Sequence, residues 1–135
     1  MDLVRWGMIG VGDVAERKSG PAFNLANGGR LAAVAARRAE AARDYAARHG
    51  VPRCHSTIEN LLADPEIDAV YIATPPEAHE SLTLMAAAAG KPVYVEKPMG
   101  RSHAECLRII GACSRAGVEL WVSGRLGDAR LALEA

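Results

Sequence analysis

Short apolar runs alternate with helix-forming stretches along most of this chain, and this alternation limits the folds that are open to it. Strands are predicted at residues 4–10, 30–36, 68–74, 92–96 and 118–122. Helices are predicted at residues 39–50, from the capping box Ser56-Thr57-Ile58-Glu59 to Leu62, at 77–89, and from the capping box at Ser102 to Ala116. Strands separated by helices need crossover connections, which produce a parallel sheet with helices on both faces. The sequence therefore predicts an α/β fold with a doubly wound parallel sheet.

The bulk composition excludes several classes of function. Lys plus Arg number 16 and Asp plus Glu number 16, so no overall charge draws the protein to nucleic acid or to an anionic membrane. Apolar stretches are far shorter than the ~20 residues of a membrane span, and the start of the chain does not resemble a signal peptide. The three cysteines form no C-x-x-C motif. We expect a reduced, cytoplasmic protein without a metal site, in which Cys106 and Cys113 pack in the core.

A glycine-rich loop directly follows the first predicted strand and opens the first predicted helix. It reads Gly10-Val11-Gly12-Asp13-Val14-Ala15. One glycine makes the tight turn, the other lets backbone amides approach a pyrophosphate, and the small Ala15 lets helix and strand pack closely. The helix N-terminus adds N–H donors and the positive end of its dipole. The loop and its context predict a Rossmann domain that binds NAD or NADP.

The end of the second strand indicates which dinucleotide is preferred. NAD enzymes usually hold the ribose 2′-hydroxyl there with Asp or Glu, whereas this chain has Ala36 followed by Arg37 and Arg38. A guanidinium group can meet a 2′-phosphate with a planar fork of donors, and a carboxylate would repel it. NADP is therefore favoured over NAD. In the competing interpretation, the two arginines are only the solvated start of the next helix.

Three segments together carry a family resemblance. GVGDVA, LLADPEIDAVYIATPPEAH and GKPVYVEKPM resemble the N-terminal NAD(P)-binding domain of the glucose–fructose oxidoreductase/inositol dehydrogenase family (Gfo/Idh/MocA), over roughly residues 3 to 122. The Glu-Lys-Pro segment at residues 96–98 is the most specific of these features.

The resemblance assigns roles to residues at the ends of two strands. It places Lys97 between the nicotinamide and the substrate as the catalytic residue, where an ammonium group stabilises charge on the substrate oxygen or shuttles a proton. It implies that Glu96 orients Lys97 or contacts the cofactor, and that Thr74, Pro75 and His79 line the nicotinamide side. The family often has Asn where this chain has Pro76.

The resemblance also implies a second, substrate-binding domain, of which this chain contains at most the start. We expect residues 1–122 to form the dinucleotide-binding domain and residues 123–135 to resemble the beginning of a domain that is absent or truncated. The leading interpretation is an NAD(P)-dependent oxidoreductase that acts on a sugar, cyclic polyol or related carbonyl compound. The alternatives are a non-catalytic dinucleotide-binding or regulatory module and, with less support, a methyltransferase that binds S-adenosylmethionine. An exposed sheet edge favours a homo-oligomer, and neither nucleic acid nor membrane is expected as a partner.

Overall fold

The computed structural model describes residues 4–12 and 28–122. Two parts of the sequence-based prediction lie outside these residues. One is the stretch from Asp13 to Ala15 with the helix that it opens, and the other is the tail at 123–135.

Six parallel strands form one sheet. They are β1 (Val4–Ile9), β2 (Gly29–Ala35), β3 (Arg53–Cys54), β4 (Ala69–Ile72), β5 (Val93–Val95) and β6 (Leu120–Val122). Their order across the sheet is β3-β2-β1-β4-β5-β6, and each neighbouring pair is parallel. The chain first adds β2 and β3 on one side of β1, and then β4, β5 and β6 on the other side. This is the doubly wound order of dinucleotide-binding folds. The predicted fold class is confirmed.

Four α-helices connect the described strands. They are α1 (Ala39–His49), α2 (Ile58–Leu62), α3 (His79–Ala88), which a 3₁₀ turn at Pro76–Ala78 precedes, and α4 (His103–Ala116). Helix α1 ends at Gly50, whose φ of 66° is the left-handed conformation that glycine adopts without strain. At the start of α4 the Ser102 hydroxyl accepts a hydrogen bond from the Glu105 amide, as the predicted capping box requires. None of the helices within residues 4–12 and 28–122 is long and apolar enough to cross a membrane.

One local prediction was wrong, and one strand was not predicted. The N-cap of α2 is Thr57 instead of Ser56, because the Thr57 hydroxyl accepts the amide hydrogen of Asn60 at 3.0 Å. Strand β3 was not predicted, since its two residues are too few to show an alternating pattern. It forms because Arg53 and Cys54 pair with Ala33 and Val34 on β2.

The apolar side chains of the strands divide into two cores, one on each face of the sheet. The first face, which we call face A, contains the large aromatic residues Trp6, Tyr71 and Tyr94, and α1 covers it through Tyr45. The second, face B, contains Ile9, Val70, Ile72, Val93 and Val95, and is covered through Leu61 of α2 and Leu82 and Ala86 of α3. Adjacent residues of β4 alternate between the faces, as the pleat of a strand requires.

A polar network lies between α2, β3 and the start of β4. The buried Asp64 carboxylate accepts hydrogen bonds from His55 Nε2 at 2.9 Å and from the Glu66 amide at 2.9 Å, and it pairs with Arg53 at 3.1 Å. Burial raises the pKa of Asp64, but these partners together outweigh it and leave the pKa below its ordinary value. Lys91 Nζ donates to the backbone oxygens of Asp64 and Ile67, at 2.9 and 2.7 Å. The network ties the loop before β4 to the loop before β5.

Candidate dinucleotide site

Gly10 stands where the carboxyl ends of β1, β2 and β4 meet. Its amide donates to the Ala35 carbonyl oxygen at 3.0 Å, and its φ is +101°. A Cβ atom built on Gly10 would lie 3.0 Å from backbone atoms of both Ala73 and Thr74. Only glycine combines this conformation with so close an approach to β4. Gly10 is therefore required by the protein's own packing.

Gly12 is in a different situation. It is exposed, and no described atom lies within 4 Å of a Cβ atom built on it. Nothing in the described part of the protein demands glycine at this position. Because Gly12 has no side chain, a ligand can approach the backbone of the loop at this position. A phosphate-binding turn needs such access to its backbone.

Two arginines follow the end of β2 beside this loop, and one of them has no partner within residues 4–12 and 28–122. Ala36 is buried, and Arg37 and Arg38 that follow are exposed. Arg38 Nε lies 3.1 Å from Glu40 Oε1. The backbone amide of Glu40 and the Arg38 guanidinium lower the pKa of the Glu40 carboxyl. No hydrogen bond or ion pair joins Arg37 to the described residues, so its guanidinium is available to an anion.

A cavity of about 460 Å³ brings most of the predicted residues together at this edge. It lies between the glycine loop, the end of β2 and the segment after β4, in the crevice where ligands of doubly wound sheets bind. Its lining residues are Gly10, Val11, Gly12, Ala36, Arg37, Arg38, Ala41, Ile58, Ala73, Thr74, Pro75, Glu77, Ala78, Ser81 and Leu82.

The cavity contains residues that the sequence-based prediction missed. Ile58 is an example, and it is the first residue of α2. Because α2 follows the carboxyl end of β3, its start lies at the same edge of the sheet as the glycine loop. The order of elements could have indicated Ile58, but the unpredicted strand β3 concealed it.

The remaining predicted residues lie in or beside the turn that follows β5. The Glu96 amide donates to the Ile72 carbonyl oxygen at 3.0 Å, and the Glu96 carboxylate accepts a hydrogen bond from the Tyr71 hydroxyl. Lys97 is exposed. His79 is buried, with Nδ1 2.9 Å from the Pro98 carbonyl oxygen and Nε2 2.8 Å from that of Thr74. The cavity is not lined by Glu96, Lys97 or His79. His79 instead lies between the turn that carries Lys97 and Thr74, and Thr74 does line the cavity.

The residues at this edge of the sheet fit the separate chemical groups of a nicotinamide dinucleotide. An open glycine turn suits a pyrophosphate, and the apolar side chains of Ile58 and Leu82 suit an adenine ring. Arg37, which is exposed and pairs with no residue in the described part of the chain, suits an additional phosphate. Asp13, Val14 and Ala15, which were also predicted to hold the cofactor, lie outside the described residues.

Comparisons with known proteins point in the same direction. Residues 4–123 match a family model described as "Oxidoreductase family, NAD-binding Rossmann fold" and labelled GFO_IDH_MocA. "Oxidoreductase P35" of Formosa agariphila is 42% identical over 120 residues, which are 89% of this chain and 37% of that protein. The 1,5-anhydro-D-fructose reductase of Ensifer adhaerens is 34% identical over 125 residues, or 93% of this chain and 37% of that protein.

A solved structure shows the same similarity in three dimensions. The 3-ketoreductase KijD10 of Actinomadura kijaniata, crystallised with NADP and TDP-benzene, superimposes with a TM-score of 0.85 at 29% identity. The match covers 90% of this chain and 37% of that one. The chain thus spans just over a third of the length of each of these three proteins.

Proposed function

The chain belongs to the Gfo/Idh/MocA oxidoreductase family, and from this premise we propose that it is the cofactor-binding domain of an NADP-preferring oxidoreductase. In this proposal, the whole protein transfers a hydride to or from a sugar, a cyclic polyol or a related carbonyl compound. The observation that carries the proposal is the cavity lined both by the open Gly12 turn and by Arg37, which pairs with no described residue.

The chain's own residues supply the binding groups. The backbone amides of Val11 and Gly12 would hold the pyrophosphate, since the Gly10 amide donates to Ala35, and Arg37 would pair with the 2′-phosphate. Arg37 takes this role ahead of Arg38, because Arg38 already pairs with Glu40. The nicotinamide, when bound, supplies or accepts the hydride.

Lys97 supplies the group that acts on the substrate. Hydride transfer to a carbonyl leaves negative charge on its oxygen, and an ammonium group beside that oxygen stabilises the charge or donates a proton. Lys97 is exposed and follows β5, at the same edge of the sheet as the cavity. This position suits a residue that meets substrate brought by another part of the protein.

Location and assembly complete the proposal. A cytoplasmic location is supported by Cys54, Cys106 and Cys113, all free thiols. A homo-oligomer is supported by the position of β6, whose only partner among the described residues is β5. A strand at the edge of a sheet presents unpaired backbone groups, with which a strand of a second copy can pair.

The test compares Arg37→Ala with Arg38→Ala in fluorescence titrations with NADPH and NADH. A charge-assisted hydrogen bond contributes about 1.5–3 kcal/mol, so Arg37→Ala should weaken NADPH binding by roughly ten- to a hundredfold. Neither substitution should change NADH binding more than about twofold, and Arg38→Ala should weaken NADPH binding less. If NADH binds the unaltered chain as tightly as NADPH, the preference is wrong; if neither binds, the cofactor assignment is wrong.

A further inference from the structure

The turn that carries Lys97 is held on both sides of that residue by buried side chains from opposite faces of the sheet. The residue before it, Glu96, is bound by Tyr71, and the residue after it, Pro98, is bound by His79. The inference drawn from this arrangement rests on the proposed role of Lys97.

Tyr71 reaches the turn from face A. It lies on β4 and is completely buried. Its ring packs edge-on against Tyr94, with ring centroids 5.5 Å apart, within the core that contains Trp6. A ring so enclosed has a fixed orientation, and its hydroxyl therefore presents a fixed donor to the Glu96 carboxylate.

His79 reaches the turn from face B. It is the first residue of α3, is only 1% exposed, and lies in a helix that packs on this face through Leu82 and Ala86. Its two ring nitrogens face the carbonyl oxygens of Thr74 and Pro98. Because carbonyl oxygens only accept hydrogen bonds, a ring nitrogen donates to the oxygen that it faces only when it carries a proton, and the ring donates to both oxygens when both nitrogens are protonated. Through these contacts the imidazole lies between the turn after β5 and the lining of the cavity.

We propose that Tyr71 and His79 are positioning residues that fix the backbone of the turn from which Lys97 projects. The Lys97 side chain is exposed and is not held by any described side chain. Its placement relative to a bound cofactor therefore depends on the backbone beneath it. The two hydrogen bonds supply that constraint, and the His79 bridge keeps the distance between the Lys97 turn and Thr74 constant.

Hydrogen exchange measured by mass spectrometry tests the constraint directly. The variants are Tyr71→Phe and His79→Asn, singly and together. A net hydrogen bond contributes about 0.5–1.5 kcal/mol, so each single variant should raise amide exchange at residues 96–101 about two- to tenfold, and the double variant should raise it further.

Two substitutions serve as controls. His103→Asn makes the same change at an exposed histidine, and Tyr45→Phe removes a hydroxyl from a core tyrosine of α1. Neither should alter exchange at residues 96–101. Unchanged exchange there in Tyr71→Phe and His79→Asn would overturn the proposal. So would an equal rise in all peptides, because that pattern would show a general loss of stability.

A pair of ligands then tests whether the constraint acts on the nicotinamide end of the site. Tyr71→Phe and His79→Asn should lower NADPH affinity about two- to tenfold and leave the affinity for adenosine 2′,5′-bisphosphate, which lacks the nicotinamide, unchanged. An unchanged ratio of the two affinities contradicts the positioning role. If neither ligand binds the unaltered chain, the proposed function fails, and the exchange experiment still decides whether the two side chains hold the turn.

Discussion

The two glycines of the loop should respond in opposite ways to alanine substitution. In Gly10→Ala, the new Cβ atom would lie 3.0 Å from backbone atoms of Ala73 and Thr74, which cannot move without disturbing β4. The φ of +101° adds strain, which costs about 1–3 kcal/mol for a non-glycine residue. Overpacking costs a further 1–3 kcal/mol, approximately. Gly10→Ala should therefore lower the free energy of unfolding by about 2–6 kcal/mol.

Gly12→Ala is the matched control for stability. No described atom would contact its Cβ atom, so the free energy of unfolding should change by less than about 0.5 kcal/mol. Binding should change instead, because the methyl group occupies the space in front of the loop. The loss of a charge-assisted amide–phosphate hydrogen bond predicts roughly ten- to a hundredfold weaker NADPH binding.

The assay is urea unfolding followed by the fluorescence of the tryptophans, of which Trp6 is buried, together with NADPH titration of each variant. Unaltered stability in Gly10→Ala would refute the packing argument. Unaltered NADPH affinity in a folded Gly12→Ala would refute the assignment of the loop to the pyrophosphate.

Three further substitutions, one of them with a matched control, test other parts of the account. In fluorescence titrations, Ala36→Asp should weaken NADPH binding at least about tenfold, because the new carboxylate repels the 2′-phosphate. The same carboxylate accepts a hydrogen bond from the ribose 2′-hydroxyl, so NADH binding should become stronger. An unchanged ratio of the NADPH and NADH affinities would contradict the cofactor preference. Lys91→Met should destabilise the protein by about 1–3 kcal/mol in urea unfolding. It removes the Nζ donor of the Ile67 carbonyl oxygen, and among the described residues it leaves the Asp64 oxygen with only the Ile67 amide. Lys97→Met should change stability by less than about 0.5 kcal/mol, and equal effects would refute the role of Lys91. Because the pKa of Asp64 is lower in the folded protein than its ordinary value of 3.8, its stabilisation is complete above pH 4, approximately, and is lost as the pH falls below that value. Asp64→Asn should therefore reduce the loss of stability between about pH 4 and pH 2, and an identical acid dependence would show that other carboxyl groups cause it.

Features that depend on neighbours in sequence could be predicted, and those that depend on neighbours in space could not. The Ser102 cap and the Gly50 helix end are local, because each is formed by residues a few positions apart. The same is true of Gly10 and Gly12, whose place between a strand and a helix indicates the turn. The α2 cap was misplaced by one residue because Ser56 and Thr57 are adjacent and both can cap a helix.

The site beyond the loop depends on which strands lie side by side. Tyr71 and Glu96 are 25 residues apart, and they meet only because β4 and β5 are adjacent and parallel. The sequence indicated His79 through a family resemblance, but its position between two carbonyl oxygens depends on the packing of α3. Such contacts arise from tertiary structure, and no spacing along the chain encodes them.

The central claim is that a nicotinamide dinucleotide binds across the carboxyl ends of β1, β2, β4 and β5. The most direct measurement is the change in backbone amide NMR shifts when NADPH is added to the isotope-labelled chain. The account predicts saturable changes at Gly12, Arg37, Thr74 and Lys97, with little change at Lys91 and Asp68 near the opposite edge. Changes confined to that opposite edge, or no saturable change at any amide, would contradict it.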